Sequence, residues 1–384
     1  MYLLEHDAKA LLAERGIGVP DGRLVAGVAA LDSIELPPRP WMVKAQVAGG
    51  GRGKAGAVRR AATRGELRAH LAELLVMRVK GQPVRECRIE TAVSDALETY
   101  LGFIIDASAG GVRALLAPRG GVDVESLADL RKSEPCAPEP AQLGACAEQL
   151  ASGLAEPLRG ALADAGRRLA TFFVEHECTL LEINPLFVRP DGGWIAGDAK
   201  VITDDDALFR QPRLRELLER RGEAYPAAAR KLAHGCDYVV VDPDGELGLL
   251  TTGAGLSMML IDELRASGIR PYNFLDVRTG GLRGDPTRLV HVLDWIADGA
   301  RVKAVLVNVF AGITDLGEFA RLLLEALGRT RLRVPVVTRL VGTGLDDARA
   351  VLARAGIEVE TDLSRAIASV RKYFVEPRTP GDRR

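Results

Sequence analysis

The sequence of 384 residues has few cysteines, no long apolar run and no excess of charge of either sign. Its five cysteines are scattered without metal-ligand spacing, which argues against a disulfide framework and predicts reduced thiols in a cytoplasmic protein. Lysine and arginine number 51 against 52 acidic residues, so a nucleic-acid partner is not expected. No apolar run approaches the roughly 20 residues that span a bilayer, so no membrane partner is expected either.

The segment VKAQVAGGGRGKAG, residues 43–56, is rich in both glycine and basic residues. Glycines let backbone N–H groups approach a ligand closely, and Lys44, Arg52 and Lys54 suggest that this ligand is an anion. A solvated basic hairpin tip would explain the segment equally well when it is taken alone. The strand–GxGxxG–helix arrangement is missing, so the segment does not predict a dinucleotide site.

A second informative segment, residues 179–205, has PDGG between two apolar runs, which predicts a β-hairpin. Glu182 and Asn184 are two residues apart and should face the same side of one strand. Asn184 and Asp198 are equally far from the turn centre and should oppose each other if the pairing is symmetric. These oxygen ligands suit Mg²⁺ held partly by nucleotide phosphates, although a polar hairpin face without a metal is an alternative.

Alternating strand-like and helical patterns predict an α/β protein with two domains. The second half reads as an open, doubly wound parallel sheet, in which ligands bind at the carboxyl ends of the strands. There GAG and GIT each join a strand to a helix. Ordinary tight turns explain these glycines by themselves, whereas two such helix N-termini facing one cleft would favour an anion. The predicted divisions are an N-terminal domain over 1–228, a C-terminal domain over 236–376 and a disordered tail over 377–384.

From end to end the chain resembles the β subunits of the ADP-forming succinyl-CoA synthetases and relatives such as malate–CoA ligase. The matching stretches are VKAQVAGGGRGKAG, LETYLGF, LLEINPLFV, GDAK, DDDALFRQPRLRE, GAGLSM, NFLDV and VKAVLVNVFAGI. The resemblance implies an N-terminal ATP-grasp domain followed by a flavodoxin-like CoA-ligase domain. It also implies Mg²⁺ and ATP, with GTP possible, and CoA bound mainly by a partner subunit.

The resemblance further implies roles for individual residues. The ATP phosphates are expected on Lys44 and on the backbone of Gly51, Arg52 and Gly53. The adenosine is expected beside Glu90, Val93 and Glu98. The Mg²⁺ ligands correspond to Asn184 and Asp198, and Glu182 matches a carboxylate that steadies a phosphohistidine. The small carboxylic acid is expected near Thr252, Gly312, Ile313 and Thr314.

In this family ATP phosphorylates a histidine, the phosphate passes to the acid, and the CoA thiol attacks the acyl phosphate. The histidine and the CoA site belong to a separate α subunit. None of the five histidines of this chain lies in a glycine-rich strand-to-helix loop. We therefore expect the chain to need an α partner, in an αβ or an (αβ)₂ assembly.

Three departures from the succinate enzymes fall around the acid pocket. Thr252 replaces an asparagine, the loop after NFLDV gains Arg278 and Arg283, and TDLGE replaces an Arg-Cys-Asp run. Because a site of specific hydrogen bonds discriminates strongly, these changes favour a malate-like or otherwise substituted acid over succinate. Two alternatives stay open: an ATP-grasp carboxylate–amine ligase that needs no α subunit, and a nucleotide-binding regulatory paralogue without turnover.

Overall fold

The structure, a computed structural model, describes residues 1–121, 129–278, 284–312 and 314–374. Contacts between α-carbons divide the chain into two units, Met1–Gln211 and Pro212–Arg384. The boundary predicted from the sequence between residues 228 and 236 lies later and stays a prediction. The predicted tail over 377–384 lies outside the described residues.

The first unit combines helices with short and long antiparallel strands. Its helices are α1 (Glu5–Glu14), α2 (Arg64–Leu75), α3 (Pro140–Ala151) and α4 (Leu158–Glu175). Its strands are β1 (Gly22–Val25), β2 (Trp41–Ala45), β3 (Val58–Ala61), β4 (Arg78–Val79), β5 (Gln82–Pro83), β6 (Cys87–Thr91), β7 (Leu97–Asp106), β8 (Gly111–Ala117), β9 (Arg131–Lys132), β10 (Cys178–Val188), β11 (Trp194–Ala196) and β12 (Lys200–Thr203).

One sheet of this unit has the strand order β1–β6–β2–β3 and is covered by α2. The buried residues of α2 recur at helical spacing, as Leu67, Leu71 and Leu74. Thr63 begins the helix by accepting a hydrogen bond from the Glu66 N–H at 3.2 Å. The sheet and its covering helix thus fix the position of Lys44, which lies near the end of β2.

The other sheet has the order β11–β10–β7–β8–β9, and β12 also pairs with β10. Leu186 pairs with Ala196 and Glu182 pairs with Lys200, two pairs that share one symmetric register. This register confirms the predicted hairpin and brings Asn184 and Asp198, which lie between the two pairs, to equivalent positions. Phe103 of β7 contacts Phe173 of α4 beneath the sheet.

The second unit alternates strands with helices along the chain. Its helices are α5 (Pro212–Arg221), α6 (Pro226–His234), α7 (Ala254–Ala266), α8 (Thr287–Ala297), α9 (Leu316–Arg329), α10 (Leu345–Ala353) and α11 (Leu363–Arg371). Its strands are β13 (Asp237–Val240), β14 (Leu247–Thr251), β15 (Asn273–Asp276), β16 (Ala304–Ala311), β17 (Val336–Gly342) and β18 (Val359–Glu360).

Strands β14, β16, β17 and β18 form a parallel sheet in that order. One apolar core includes α8, α9 and α10, and a second core includes α7 and α11, so helices cover both faces as predicted for a doubly wound sheet. The sequence did not predict the antiparallel pairing of β13 with β15. No helix in the described part of the chain has both the length and the apolar character needed to cross a membrane.

The amide side chain of Asn273 joins β15 to β14. It accepts a hydrogen bond from the Leu249 N–H at 2.9 Å and donates one to the Leu249 carbonyl at 2.8 Å. The Asn273 side chain therefore makes the two hydrogen bonds that a backbone N–H and carbonyl make between paired strands elsewhere in a sheet.

Replacing Gly166 of α4 by alanine should destabilise the first unit. An added Cβ would lie 2.4 Å from the Cβ of Ala147 on α3, so the two helices would have to separate. We expect a loss of about 1–3 kcal/mol in the free energy of unfolding, measured by urea denaturation. Gly65→Ala in α2 is the matched control: its Cβ meets nothing closer than Thr63 Oγ1 at 3.9 Å, so stability should not fall. Equal stability of the Gly166→Ala protein and the wild type would contradict the close approach of α3 and α4.

Candidate active site

A cavity of about 800 Å³ lies in the first unit and is lined by residues of both its sheets. It contains every residue that the sequence assigned to ATP, Mg²⁺ and the phosphohistidine. These are Lys44, Gly51, Arg52, Gly53, Glu90, Val93, Glu98, Glu182, Asn184 and Asp198. Residues separated by up to about two-fifths of the chain thus meet in one place, while their roles stay predictions.

Lys44 is the penultimate residue of β2 and is buried at the cavity wall. Its Nζ lies 2.8 Å from Glu5 Oε1, 2.7 Å from Glu90 Oε1 and 2.7 Å from the carbonyl oxygen of Gly197. Burial alone would lower the pKa of Lys44, but Glu5, Glu90 and Asp198 outweigh it and raise the pKa above its ordinary value. The cavity therefore has a permanently charged ammonium group at its wall.

Glu5 and Lys9 of α1 belong to the same ionic cluster, and the sequence analysis missed both. Lys9 is fully buried, and its Nζ lies 2.7 Å from Glu5, 2.7 Å from Glu90 and 2.8 Å from the carbonyl oxygen of Gly197. A signal was available: Glu5, Lys9 and the buried Leu12 recur at helical spacing, so two charged residues lie on the buried stripe of α1.

Gly197 must be a glycine because the chain is tightly packed at this point. A Cβ on it would lie 2.2 Å from Phe187 Cε2 and 2.9 Å from the Pro185 carbonyl oxygen. The absence of a side chain lets the backbone carbonyl approach the two lysines from the hairpin, which ties the two sheets together at the cavity.

Arg52 lies in the glycine-rich segment and is largely buried. Its Nη2 donates to both carboxylate oxygens of Asp198 at 2.7 and 2.9 Å, and its Nη1 lies 2.6 Å from Glu5 Oε2. Gly51, the preceding residue, has φ +84, a conformation that favours glycine. The glycine thus turns the chain so that the guanidinium points back into the cavity.

The Glu182 carboxylate is held from two sides. The Tyr100 hydroxyl donates to it at 2.9 Å, and the Lys200 ammonium forms an ion pair with it. Both partners line the cavity, and the sequence analysis missed both. The symmetric hairpin register that placed Asn184 opposite Asp198 also places Lys200 opposite Glu182, so Lys200 could have been found by the same argument.

The donors on the hairpin fit a Mg²⁺ ion that takes its remaining ligands from phosphates. Asp198 already binds a cation, the guanidinium of Arg52, through both oxygens, so this position favours positive charge. Asn184 exchanges two hydrogen bonds with the backbone of Gly121, which fix the direction of its amide oxygen. Within the described ranges no group of three or more His, Cys, Asp or Glu residues could hold a metal ion alone.

The residues predicted to bind the acid lie in the second unit. Thr252 follows β14 directly, and Gly312 and Thr314 follow β16. The hydroxyl of Thr252 is buried and has no hydrogen-bond partner among the described residues. Ile313, the fourth residue of this set, and Arg283 lie outside the described part of the chain.

Arg278, one of the two added arginines, has its charge compensated within the second unit. Its guanidinium lies 2.8 Å from the Asp237 carboxylate. Its backbone N–H donates to Asp276, which also accepts from the N–H of Gly253 at the start of α7. To bind an acid group of the substrate, Arg278 would therefore have to open this ion pair.

Comparison with known proteins agrees with this architecture. Residues 2–188 match the ATP-grasp domain family, and residues 250–372 match the CoA-ligase family. In fold, the chain resembles ATP citrate lyase from Methanothrix soehngenii in complex with citrate and coenzyme A. That structure has a TM-score of 0.72 and 18% identity, with 97% of this chain and 99% of that chain covered. The chain is thus an ATP-grasp protein of the CoA-ligase class.

Its curated relatives identify the family. The succinate–CoA ligase (ADP-forming) subunit beta of Desulfurococcus amylolyticus is 34% identical over 378 residues, which cover 96% of this chain and 98% of the relative. The protein of the same name from Chloroflexus aggregans is 37% identical over 390 residues, covering 98% of this chain and 100% of the relative. The chain belongs to the family of ADP-forming succinate–CoA ligase β subunits, which confirms the resemblance found in the sequence.

The buried ion pairs of Glu5 should make the stability of the first unit depend on pH. Burial alone would raise the pKa of Glu5, but Arg52, Lys44 and Lys9 hold the pKa well below its ordinary value of 4.5. A carboxylate with a lowered folded-state pKa stabilises the fold above its unfolded-state pKa, and this contribution is lost as the pH falls. We expect the melting temperature to drop as the pH falls below about 4.5, and to drop less steeply in Glu5→Gln. Equal slopes in the two proteins, measured by calorimetry, would contradict this assignment.

Proposed function

We propose that this chain is the β subunit of an ADP-forming acid–CoA ligase and uses MgATP to phosphorylate a histidine on a separate α subunit. The observation that carries the proposal is the single cavity in which Lys44, Arg52, Glu182, Asn184 and Asp198 meet. These residues combine cations for phosphates, oxygen donors for a metal and the Glu182 carboxylate, which Tyr100 and Lys200 hold in place. Phosphoryl transfer depends on this kind of positioning and charge stabilisation.

The ATP phosphates bind to Lys44, to Arg52 and to the backbone of the glycine-rich segment. Both cations form ion pairs with the Glu5 carboxylate in the structure, so Glu5 holds them next to each other beside the phosphates. Their charge stabilises the negative charge that grows on the leaving phosphates. Mg²⁺, when bound by Asn184 and Asp198, supplies additional positive charge to the phosphate oxygens.

Glu182 orients the histidine of the α subunit. A carboxylate that accepts a hydrogen bond from one imidazole nitrogen fixes the tautomer and leaves the other nitrogen nucleophilic. Tyr100 and Lys200 hold the Glu182 carboxylate from two sides, so its direction is set before the partner arrives. The phosphate then passes to the acid, and the thiol of CoA bound by the α subunit completes the reaction.

The acid binds at the carboxyl ends of β14 and β16. The buried, unpartnered hydroxyl of Thr252 is available to donate a hydrogen bond to a carboxylate or to accept one from a substrate hydroxyl. Asparagine at this position would offer an amide instead, so the preferred acid differs from succinate. A malate-like or otherwise substituted acid has a polar substituent with which the Thr252 hydroxyl could form a hydrogen bond. The CoA-ligase match favours this reaction over carboxylate–amine ligation.

The proposal is tested by ADP release from the chain co-purified with its α partner in the presence of ATP, Mg²⁺ and CoA. Succinate, malate, citrate, sulfoacetate and monocarboxylates are compared. We expect an acid other than succinate to give the highest kcat/KM, and Thr252→Asn to shift the preference towards succinate by about tenfold or more. A strong preference of the wild type for succinate would refute the altered specificity. Repeated turnovers of ADP release that do not require CoA would refute the ligase assignment, because phosphorylation of the histidine alone releases only one ADP per site.

Glu182→Gln should abolish phosphorylation of the partner while MgADP binding is retained. The amide keeps the shape of the side chain but loses the charge that Tyr100 and Lys200 hold in place. We expect the rate of label transfer from γ-³²P-ATP to the α subunit to fall by about 10²-fold or more. Glu148→Gln, on the exposed side of α3, is the control and should transfer label normally. Normal transfer in Glu182→Gln would remove this residue from the mechanism.

A further inference from the structure

Lys9 and Lys44 bind the same three acceptors. Each ammonium group contacts a carboxylate oxygen of Glu5, a carboxylate oxygen of Glu90 and the carbonyl oxygen of Gly197, at 2.7 to 3.0 Å. The two lysines differ in one respect: Lys44 lines the cavity, whereas Lys9 is fully buried behind it and does not. One lysine can therefore meet a ligand and the other cannot.

The acceptors around both lysines favour their charged forms, and for Lys9 they oppose burial, which lowers the pKa of its ammonium group. An ammonium group has three N–H donors, and each Nζ has three partners that can only accept. A neutral amine would have only two N–H bonds and would direct a lone pair at a carboxylate or a carbonyl. Within the protein Lys44 donates hydrogen bonds to Glu5 and to the Gly197 carbonyl and forms an ion pair with Glu90, so it must give up at least one of these contacts to bind a phosphate.

Other cations keep both carboxylates paired when Lys44 turns to a phosphate. Glu5 would retain Lys9 and Arg52, the latter at 2.6 Å. Glu90 would retain Lys9 and Arg88, each at 2.7 Å. A buried carboxylate left without a partner would be costly, so these remaining contacts make the release of Lys44 possible.

We propose that Lys9 is a positioning residue of the nucleotide site: it neutralises Glu5 and Glu90 from behind and thereby frees Lys44 to bind phosphate. This inference rests on the proposed function, in which Lys44 contacts the ATP phosphates. Lys9 itself touches no ligand, and its influence passes through the two glutamates.

Charge counting gives the direction of the effect. The cluster contains four cations (Lys9, Lys44, Arg52 and Arg88) and three carboxylates (Glu5, Glu90 and Asp198), a net charge of +1. Removing the charge of Lys9 lowers the net charge to zero and leaves each glutamate with two cations, Lys44 and Arg52 for Glu5 and Lys44 and Arg88 for Glu90. Phosphate binding then competes with stronger internal ion pairs, so nucleotide affinity falls. Removing the charge of Glu5 as well restores the net charge of +1.

The test is calorimetric titration of MgADP and of adenosine into the chain co-purified with its α partner. We expect Lys9→Met to weaken MgADP binding by about tenfold and adenosine binding by less than about threefold, because adenosine carries no phosphate and only Glu90 of this cluster lies where adenosine is expected. The charge-compensated double variant Glu5→Gln/Lys9→Met should recover MgADP affinity to within about threefold of the wild type. Lys132→Met, an exposed lysine of the same unit, is the control and should bind MgADP as the wild type does.

Each outcome separates the possible roles. Wild-type MgADP affinity in Lys9→Met would overturn the inference. An equal loss of affinity for adenosine and for MgADP, worsened in the double variant, would show a merely structural role and would also overturn the inference. If Lys9→Met does not fold, Glu5→Gln is compared with the double variant, which should bind MgADP more weakly than Glu5→Gln. The proposed function fails separately, if Lys44→Met binds MgADP as tightly as the wild type.

Discussion

Two buried carboxylates, Glu5 and Glu90, connect the parts of the first unit that form the cavity. They bind cations from α1, from β2 and β6, and from the glycine-rich segment. Burying so many charges is favourable only when each finds partners at close range, and here every member of the cluster does. Ion pairs therefore hold the cavity wall together as much as apolar packing does, and they fix the positions of Lys44 and Arg52.

This arrangement explains why the glycine-rich segment and the hairpin act together. Arg52 bridges the Glu5 carboxylate of α1 and the Asp198 carboxylate of the hairpin. A cation at Asp198 is thus part of the structure before any metal is considered. A metal ion at Asp198 would take the place of Arg52, and ATP phosphates would take the place of carboxylates beside Lys44 and Arg52. Binding therefore exchanges ion-pair partners in a site whose charges are already in position.

Local pattern in the sequence was sufficient for the hairpin. The PDGG turn and the two apolar runs predicted its register, and the pairs on either side of Asn184 and Asp198 confirm that register. The doubly wound sheet was also predictable, because strands and helices alternate regularly in the second unit. Periodicity within one segment carries this information, and no knowledge of distant residues is needed.

The missed features depend on contacts between distant segments. Nothing near Lys9 indicates that it meets Gly197, and nothing near Asn273 indicates that its side chain replaces backbone bonds between β15 and β14. The antiparallel β13 was missed for the same reason, since its sequence suits either direction. The only local indication of the ionic cluster was that Glu5 and Lys9 lie on the buried stripe of α1. This pattern alone does not show which residues they pair with.

The position of Lys9 has a consequence for how the first unit folds. Besides Glu5 on the same helix, its acceptors lie 81 and 188 residues away along the chain, at Glu90 and Gly197. During synthesis α1 emerges long before the hairpin that supplies the Gly197 carbonyl, so Lys9 lacks its distant acceptors for most of that time. Contacts of such sequence separation slow folding. The nucleotide pocket can close only near the end of the process, when the hairpin reaches α1.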